Sequence, residues 1–335
     1  MRSTIADVAA RSGVSTATVS RVLSGSVPAR PETRDRVLAA VRELAYRPSG
    51  VARALKRRET RTLGLLVTDL GNPFYPEVVR AVEEAAHSRG YGLVLCNAAD
   101  DPEREIAYLD LLIERRVDGI IIASSRATRR HAAALASNPM PVVLLNSGAV
   151  GSGLPTIDTA HRRGARMATE HLLALGHRRL GHISGPPTNA ASGLRLRGVR
   201  DALRAAGIGD DALQIGEGNG HVEGGTAAAR LADGGATAIV CYNDLTAIGA
   251  LRTLRTAGHG VPERVSVIGF DDIEMAAWTD PPLTTVRQPI PEMGRLSVSW
   301  LADALARDET ELEVVVRHLE PTLVVRGSTA KSPSQ

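Results

Sequence analysis

Several short apolar runs in this chain end in side chains able to hold a hydroxylated ligand. Asn146 follows Val-Val-Leu-Leu, Asp158 follows a short strand, and Asn243 and Asp244 end Ala-Ile-Val-Cys-Tyr. Asp271 and Asp272 end Val-Ile-Gly-Phe, and Asn189 and Ser192 lie in a loop ahead of Arg195. Planar amides and carboxylates exchange hydrogen bonds with hydroxyl groups in fixed geometry. Asp244 and Asp272 read equally well as helix N-caps, which leaves Asn243 and Asp271 as the better acceptors. Phe74 and Tyr75 are adjacent in a chain with only nine aromatic residues. A ring face suits the apolar face of a sugar or a base; the same pair can also be a packed helix start.

Nothing in the sequence assembles catalysis. There is no phosphate-binding Walker loop, no Gly-x-Ser-x-Gly elbow and no zinc-ligand pair at helical spacing. His161, His171, His177 and His182 fall in one region, but on different elements. Asp271 and Asp272 are neighbours at a strand end and point in different directions. The expectation is a binding protein with no cofactor and no metal, not an enzyme.

The elements that position these residues alternate. Thr-Leu-Gly-Leu-Leu-Val-Thr-Asp is followed by an amphipathic helix, then Gly-Leu-Val-Leu-Cys-Asn, a second helix with Ile106, Leu109, Leu112 and Ile113 in a stripe, and Gly-Ile-Ile-Ile-Ala-Ser. The pattern restarts near residue 160. Continuous apolar strands alternating with helices predict parallel, doubly wound sheets covered on both faces. Two such halves predict two lobes with a ligand cleft at the carboxyl ends of the strands.

A second kind of chemistry sits at the N-terminus. Thr4 and Asp7 form a capping-box-like start, and Ile5, Val8 and Ala9 recur at helical spacing. Gly13 supplies a turn and Ser15 caps a second helix with Val19, Val22 and Leu23 inward. Thr16, Ala17, Ser20 and Arg21 are then left on the outer face. A short exposed helix of small polar residues with one arginine suits the DNA major groove. Pro31 opens a third helix whose stripe is Val37, Leu38, Val41 and Leu44. Arg47-Pro48 ends it, and a short basic stretch follows that suits a segment folding only on DNA.

Charge divides the chain the same way. Its net +3 resolves into +7 over residues 1–60 and −4 over the rest. A basic head on a mildly acidic body is the footprint of a nucleic-acid-binding module joined to something else. No apolar run is long enough to span a membrane, and the first residues carry no apolar signal core, so a cytoplasmic, nucleoid-associated protein is expected. Cys96 and Cys241 lie inside apolar runs and read as reduced, packed thiols.

The string T-I-A-D-V-A-x-x-x-G-V-S-x-x-T-V-S-R-V-L, then T-R-x-R-V-L-x-A and Y-R-P-S-x-V-A-R-x-L, resembles the lactose-repressor/galactose-repressor family of bacterial regulators. The body carries matching strings, among them R-R-V-D-G-I-I-I-A-S, L-G-H-R-R-L-G-H-I-S-G-P and V-P-E-R-V-S-V-I-G-F-D-D, so the likeness covers about residues 3–327. It implies a helix-turn-helix head over residues 1–47 and a hinge helix and linker over 48–60. It implies a two-lobed, type I periplasmic-binding-protein-like α/β core: 61–158 with 288–319 as N-terminal lobe, and 159–287 with 320–328 as C-terminal lobe. Residues 329–335 read as a disordered tail.

The resemblance also implies roles. Thr16, Ala17 and Arg21 read base edges, and Ser15, Thr18, Ser20, Ser24 and Tyr46 position the DNA backbone. Ala52, Arg53 and Leu55 enter the minor groove, with Leu55 as a wedge between bases. The effector contacts are Phe74, Tyr75, Asn146, Asp158, Asn189, Ser192, Arg195, His221, Asn243 and Asp271. Two departures stand out: Gly220 occupies a position where the family often has an aromatic ring, with His221 beside it, and the 189–193 loop lacks an arginine that some members use. The reading is a dimeric repressor of carbohydrate genes on a palindromic operator, with a sugar-like effector. A nucleobase-like corepressor or a protein co-regulator is the alternative. A transport solute-binding protein would lack the basic head. The polar C-terminus has no leucine heptads, so a dimer is expected, not a tetramer.

Overall fold

A computed structural model describes residues 3–24, 29–46, 59–124, 135, 140–147, 153–307, 309–310 and 313–333. The chain divides into two compact units, residues 1–60 and 61–335.

Among the described residues, the first unit holds three helices: α1 (Ile5–Ser12), α2 (Thr16–Ser24) and α3 (Pro31–Glu43). Thr4 accepts the Asp7 amide while Asp7 reaches back to the Thr4 amide, which closes the capping box. Gly13 ends α1 in the left-handed region, at φ +64°. Ser15 Oγ accepts the Thr18 amide at 3.2 Å and so caps α2. Val8, Ala9, Val19, Val37 and Ala40 form the buried centre. Ala40 takes the place expected of Leu38, which is half-buried and outside that cluster. An exposed Arg11–Glu43 ion pair at 2.8 Å joins α1 to α3. Ala52, Arg53 and Leu55, with most of the expected hinge, lie outside the described residues.

The second unit contains two parallel sheets. In the first, β1 (Thr62–Val67), β2 (Gly92–Asn97), β3 (Gly119–Ala123), β4 (Val142–Leu145), β5 (Thr156–Thr159) and β11 (Val316–Leu319) lie in the order β11-β5-β4-β3-β1-β2. In the second, β6 (Leu180–Ile183), β7 (Leu213–Gly216), β8 (Ala238–Cys241) and β9 (Ser266–Ile268) lie in the order β7-β6-β8-β9. Helices α4 (Phe74–Ser88), α5 (Pro102–Glu114) and α10 (Ile290–Ala306) belong to the first lobe, and α6 (His161–Ala174), α7 (Ala190–Ala205), α8 (Ala227–Asp233) and α9 (Asp244–Thr256) to the second. All five residues of β3 and all four of β4, β6 and β8 are buried. Such central strands are apolar on both faces, which is why the sequence shows runs there and not alternation.

The chain crosses between lobes three times. It leaves the first sheet after β5 to enter α6, returns between β10 (Thr285–Arg287) and α10, and leaves again between β11 and β12 (Thr322–Val324), which pairs antiparallel with β10. The expectation of a disordered tail from residue 329 is corrected as far as residue 333. The Ala330 carbonyl meets His177 Nε2 at 3.0 Å, Thr329 Oγ1 lies 3.1 Å from His171 Nε2, and the Ser332 amide donates to the Leu175 carbonyl at 2.8 Å. That last bond occupies a carbonyl at the end of α6 that the helix leaves open. A tail held by backbone groups and one threonine hydroxyl needs no apolar residues and therefore leaves no hydrophobic signal.

Candidate functional site: a two-lobed effector cleft and a helix-turn-helix head

Strand ends from both lobes of the second unit meet in one cleft. Of the ten residues expected there, Phe74, Tyr75, Asn146, Asn189, Arg195, His221, Asn243 and Asp271 line it. Phe74 and Tyr75 open α4 with their rings edge to face, 5.3 Å between centroids. Asn189 caps α7 by accepting the Ala191 amide, and Asn243 caps α9 by accepting the Thr246 amide. Asn243 also donates to the Gly220 carbonyl at 2.7 Å, which fixes the loop opposite. Its amide is thus a builder of the wall as much as a ligand group.

Two expected contacts lie outside the cleft lining. Asp158 accepts the Thr159 amide and sits 3.2 Å from His161 Nε2. Ser192 Oγ bonds both the amide and the carbonyl of Gly185, each at 3.1 Å, and closes the loop after β6. Both are buried, so their polar atoms are spent on the backbone and on the crossing between lobes.

Arg195 is the centre of the site. Its guanidinium donates to the Tyr242 carbonyl at 2.5 Å and to Asp271 Oδ1 at 3.5 Å, and Nη2 lies 3.4 Å from His161 Nδ1. It stacks over the rings of Phe270 and Tyr242, at 3.7 and 4.7 Å. Gln288 Nε2 donates to Asp271 at 2.7 Å, while Gln288 Oε1 accepts Thr159 Oγ1 at 2.6 Å. Asp271 is therefore bonded to one crossing segment, which is bonded to another. Burial pushes the Asp271 and Asp244 carboxyls above the usual carboxylate range; Arg195 and Gln288 draw Asp271 partly back, while the Asp271 charge raises Asp244 further. Asp244 faces away from the cleft, accepting Thr285 Oγ1 and the Ile273 amide. Asp272 pairs with Arg287 and Arg326, so the two adjacent carboxylates do point apart.

Sequence reasoning passed over several lining residues: Asp69, Asn72, Asp100, Asn219, Tyr242 and Gln288. The strand-end rule would have found most of them, because Asp100 closely follows β2 and Tyr242 directly follows β8. Tyr242 also bears on the missing aromatic. Gly220 sits at φ +83°, and a Cβ there would come 3.4 Å from the Tyr242 ring. The left-handed backbone favours glycine, and the ring surface at this point belongs to Tyr242. Among the described residues, Asp69, Asp100 and His221 form one cluster whose ligand-type atoms lie within 4.8 Å of one another. His221 Nε2 and Asp100 Oδ2, from opposite lobes, are 3.7 Å apart.

In the head, Ser15, Thr16, Ala17 and Arg21 are exposed on α2, Thr18 and Ser20 are half-buried, and Tyr46 packs against the head's core. Of Ser24 only its place at the end of α2 is described.

A helix-turn-helix head joined to a two-lobed ligand-binding core defines the class of ligand-controlled transcription regulators. Residues 4–49 match the family described as bacterial regulatory proteins, lacI family, and residues 169–329 match the periplasmic binding protein-like domain. The chain is 36% identical to the HTH-type transcriptional repressor PurR of Photobacterium profundum, over 97% of this chain and 98% of the relative. Among solved structures it resembles the Lac repressor dimer bound to operator and the anti-inducer ONPF, at TM-score 0.87 and 29% identity, covering 98% of this chain and all of that one. It also resembles the transcriptional regulator CelR in complex with cellobiose, at TM-score 0.72 and 34% identity with the same coverage. The chain belongs to the lacI family of bacterial regulatory proteins and is a ligand-responsive, DNA-binding transcription regulator. No helix among the described residues is long and apolar enough to cross a membrane.

Proposed function

We propose that this regulator is a dimeric repressor of carbohydrate genes whose effector is a neutral, sugar-like polyol held in the cleft. The observation that carries this reading is the charge and chemistry of the lining. Asp69, Asp100 and Asp271 face one guanidinium, Arg195, and that group is already engaged by Asp271, the Tyr242 carbonyl and two rings. An added anion would be repelled by these three carboxylates, whereas hydroxyl groups find amides and carboxylates on several sides. The CelR–cellobiose complex shows a sugar bound to a structural relative. In the head, Thr16, Ala17 and Arg21 read base edges, Ser15, Thr18, Ser20, Ser24 and Tyr46 hold the backbone, and Ala52, Arg53 and Leu55 enter the minor groove at the operator centre. Two-fold symmetry of a dimer then requires a palindromic operator.

A nucleobase-like corepressor is the second reading. It is favoured by Phe74, Tyr75 and Tyr242, three rings around a site with one arginine among the described residues. A thermal-shift screen against sugars, polyols, sugar phosphates and nucleobases separates the two. A ligand at about 100 times its Kd adds roughly 2.7 kcal/mol. Stabilisation by neutral sugars supports the first reading; stabilisation by bases alone, or by sugar phosphates above their parent sugars, overturns it.

A further inference from the structure

Tyr242 stands where β8 runs out into the cleft, and its side chain is held in place from every side. It is 7% exposed. Its amide donates to the Ile183 carbonyl at 2.9 Å and its carbonyl accepts Arg195, so the backbone is tied at both ends. The ring lies between two glycines. On its Cδ2–Cε2 side a Cβ at Gly185 would come 2.5 Å from it, and on its Cδ1–Cε1 side a Cβ at Gly220 would come 3.4 Å from it. Both glycines are themselves pinned. Ser192 Oγ bonds the amide and the carbonyl of Gly185, and Asn243 donates to the Gly220 carbonyl. The Arg195 guanidinium covers the ring at 4.7 Å from its centroid. The space left by the missing side chain at Gly220 is therefore taken by a fixed ring from the neighbouring loop and does not widen the cleft.

We propose that Tyr242 sets the length of the effector: the cleft takes a single sugar ring, a pentose or a hexose, and rejects a disaccharide. The inference rests on the sugar reading of the cleft and deepens it. The free space beside Tyr242 is about 70 Å³. At about 10–15 Å³ of such space per water, that is room for roughly five to seven waters. The hydroxyls of one sugar ring replace waters on that scale, and a second ring finds no room inside. The mouth does not admit it either. His221 Nε2 and Asp100 Oδ2, from opposite lobes, lie 3.7 Å apart there. A longer ligand would hold the lobes apart, so that Asp69, Asn72 and Asp100 of the first lobe could not close on a ring held by Asn189, Asn219 and His221 of the second. A fixed wall discriminates by clash, which costs the wrong ligand more than a missing contact does. Burial pushes the Tyr242 hydroxyl up to about 12, and Asn189 lies beside it, so the phenol stays protonated and can donate to a sugar hydroxyl.

The test is calorimetric titration of the full chain with monosaccharides and with disaccharides that repeat the same ring: D-glucose against maltose and cellobiose, D-galactose against lactose and melibiose, D-xylose against xylobiose, and D-mannose against mannobiose. The expected result is saturable binding of at least one monosaccharide, with its disaccharides weaker by tenfold or more. Y242A should narrow that gap fivefold or more by admitting the longer sugar. Y242F keeps the ring and should keep the gap, with weaker binding of the monosaccharide itself. Y242L, a smaller truncation, takes the place of Y242A should that variant fail to fold. A disaccharide that binds the wild type within tenfold of its monosaccharide overturns the inference and leaves the sugar reading standing. A gap unchanged in Y242A, or in Y242L where that variant replaces it, overturns the role of Tyr242. If no sugar of either length binds here or in the thermal screen, the sugar reading itself falls, and this inference with it.

Discussion

Single side chains in this protein carry costs that pH makes visible. Asp244 is fully buried, accepts Thr285 and the Ile273 amide, and has its pKa pushed up to about 8 by burial first and by the Asp271 charge second. A carboxyl with a raised folded-state pKa favours the fold while protonated, and that contribution fades as pH rises from the unfolded value near 3.8 through the folded one. We therefore expect Asp244→Asn to flatten the fall in Tm of the core between pH 5 and 8, read by calorimetry across that range; an unchanged slope would assign the dependence elsewhere. His182 runs the other way. It is buried on β6 with Nδ1 2.9 Å from the Val240 carbonyl, and burial lowers its pKa to about 4. The unfolded chain binds its proton first, so acidification from pH 6.5 toward 4 favours unfolding. Replacing His182 with Gln should remove that acid sensitivity, visible as a shallower loss of Tm below pH 6. Arg195 ties the cleft wall together through the Tyr242 carbonyl and Asp271. Lysine keeps its charge but cannot fork to Tyr242 and Asp271 while stacking on two rings. Arg195→Lys should lower the affinity for whichever screen hit binds the cleft by tenfold or more, checked by titration with that hit.

Elements show how far the sequence could be read. The helix-turn-helix was legible down to its capping box, because caps, turn glycines and apolar spacing are local signals carried by Thr4, Asp7, Gly13 and Ser15. The alternation of buried strands and helices was legible for the same reason, and it placed eight of ten proposed effector contacts at one cleft. Asp158 and Ser192 lie outside the cleft lining, because a place at a strand end or in a helix's first turn does not say which way a side chain turns. Tyr242 escapes the reading although Asn243 beside it is an expected contact, and Gln288 escapes it because it follows a strand of the crossing and not one of the parallel sheets. The anchored tail and the contact of α6 with α7 were illegible, since both depend on backbone approach and not on residue class. Gly198 on α7 shows the second case: a Cβ there would lie 2.1 Å from the Arg162 carbonyl and 2.9 Å from the Arg166 amide of α6. Backbone cannot step aside as a flexible side chain can. Gly198→Ala should separate the two helices and cost about 1–3 kcal/mol, the usual range for overpacking, measured by denaturant unfolding. A cost near zero would mean the helices part freely.

At the scale of the whole molecule, the question is how a ligand in the core alters a head that binds DNA elsewhere. Effects of this kind are coupling free energies, typically 1–3 kcal/mol, and they are reciprocal. The structure offers a physical route inside the core: Asp271 in the cleft bonds Gln288 on the second crossing, and Gln288 bonds Thr159 on the first. A ligand that competes for Asp271 is expected to redirect Gln288 and, through Thr159, the crossing segments between the lobes. Thr159→Val removes the donor with little change of shape at a fully buried position. The wild type should show operator affinity shifted about 5- to 150-fold by a saturating cleft ligand, the span of such couplings, and ligand affinity shifted by the same factor when operator is bound. In Thr159→Val both factors should fall together toward one, while binding of ligand alone changes far less. A variant that kept full coupling would exclude this bond as the route, because the bond is then dispensable; the two factors, being one coupling free energy around a closed cycle, must agree in every variant measured at equilibrium.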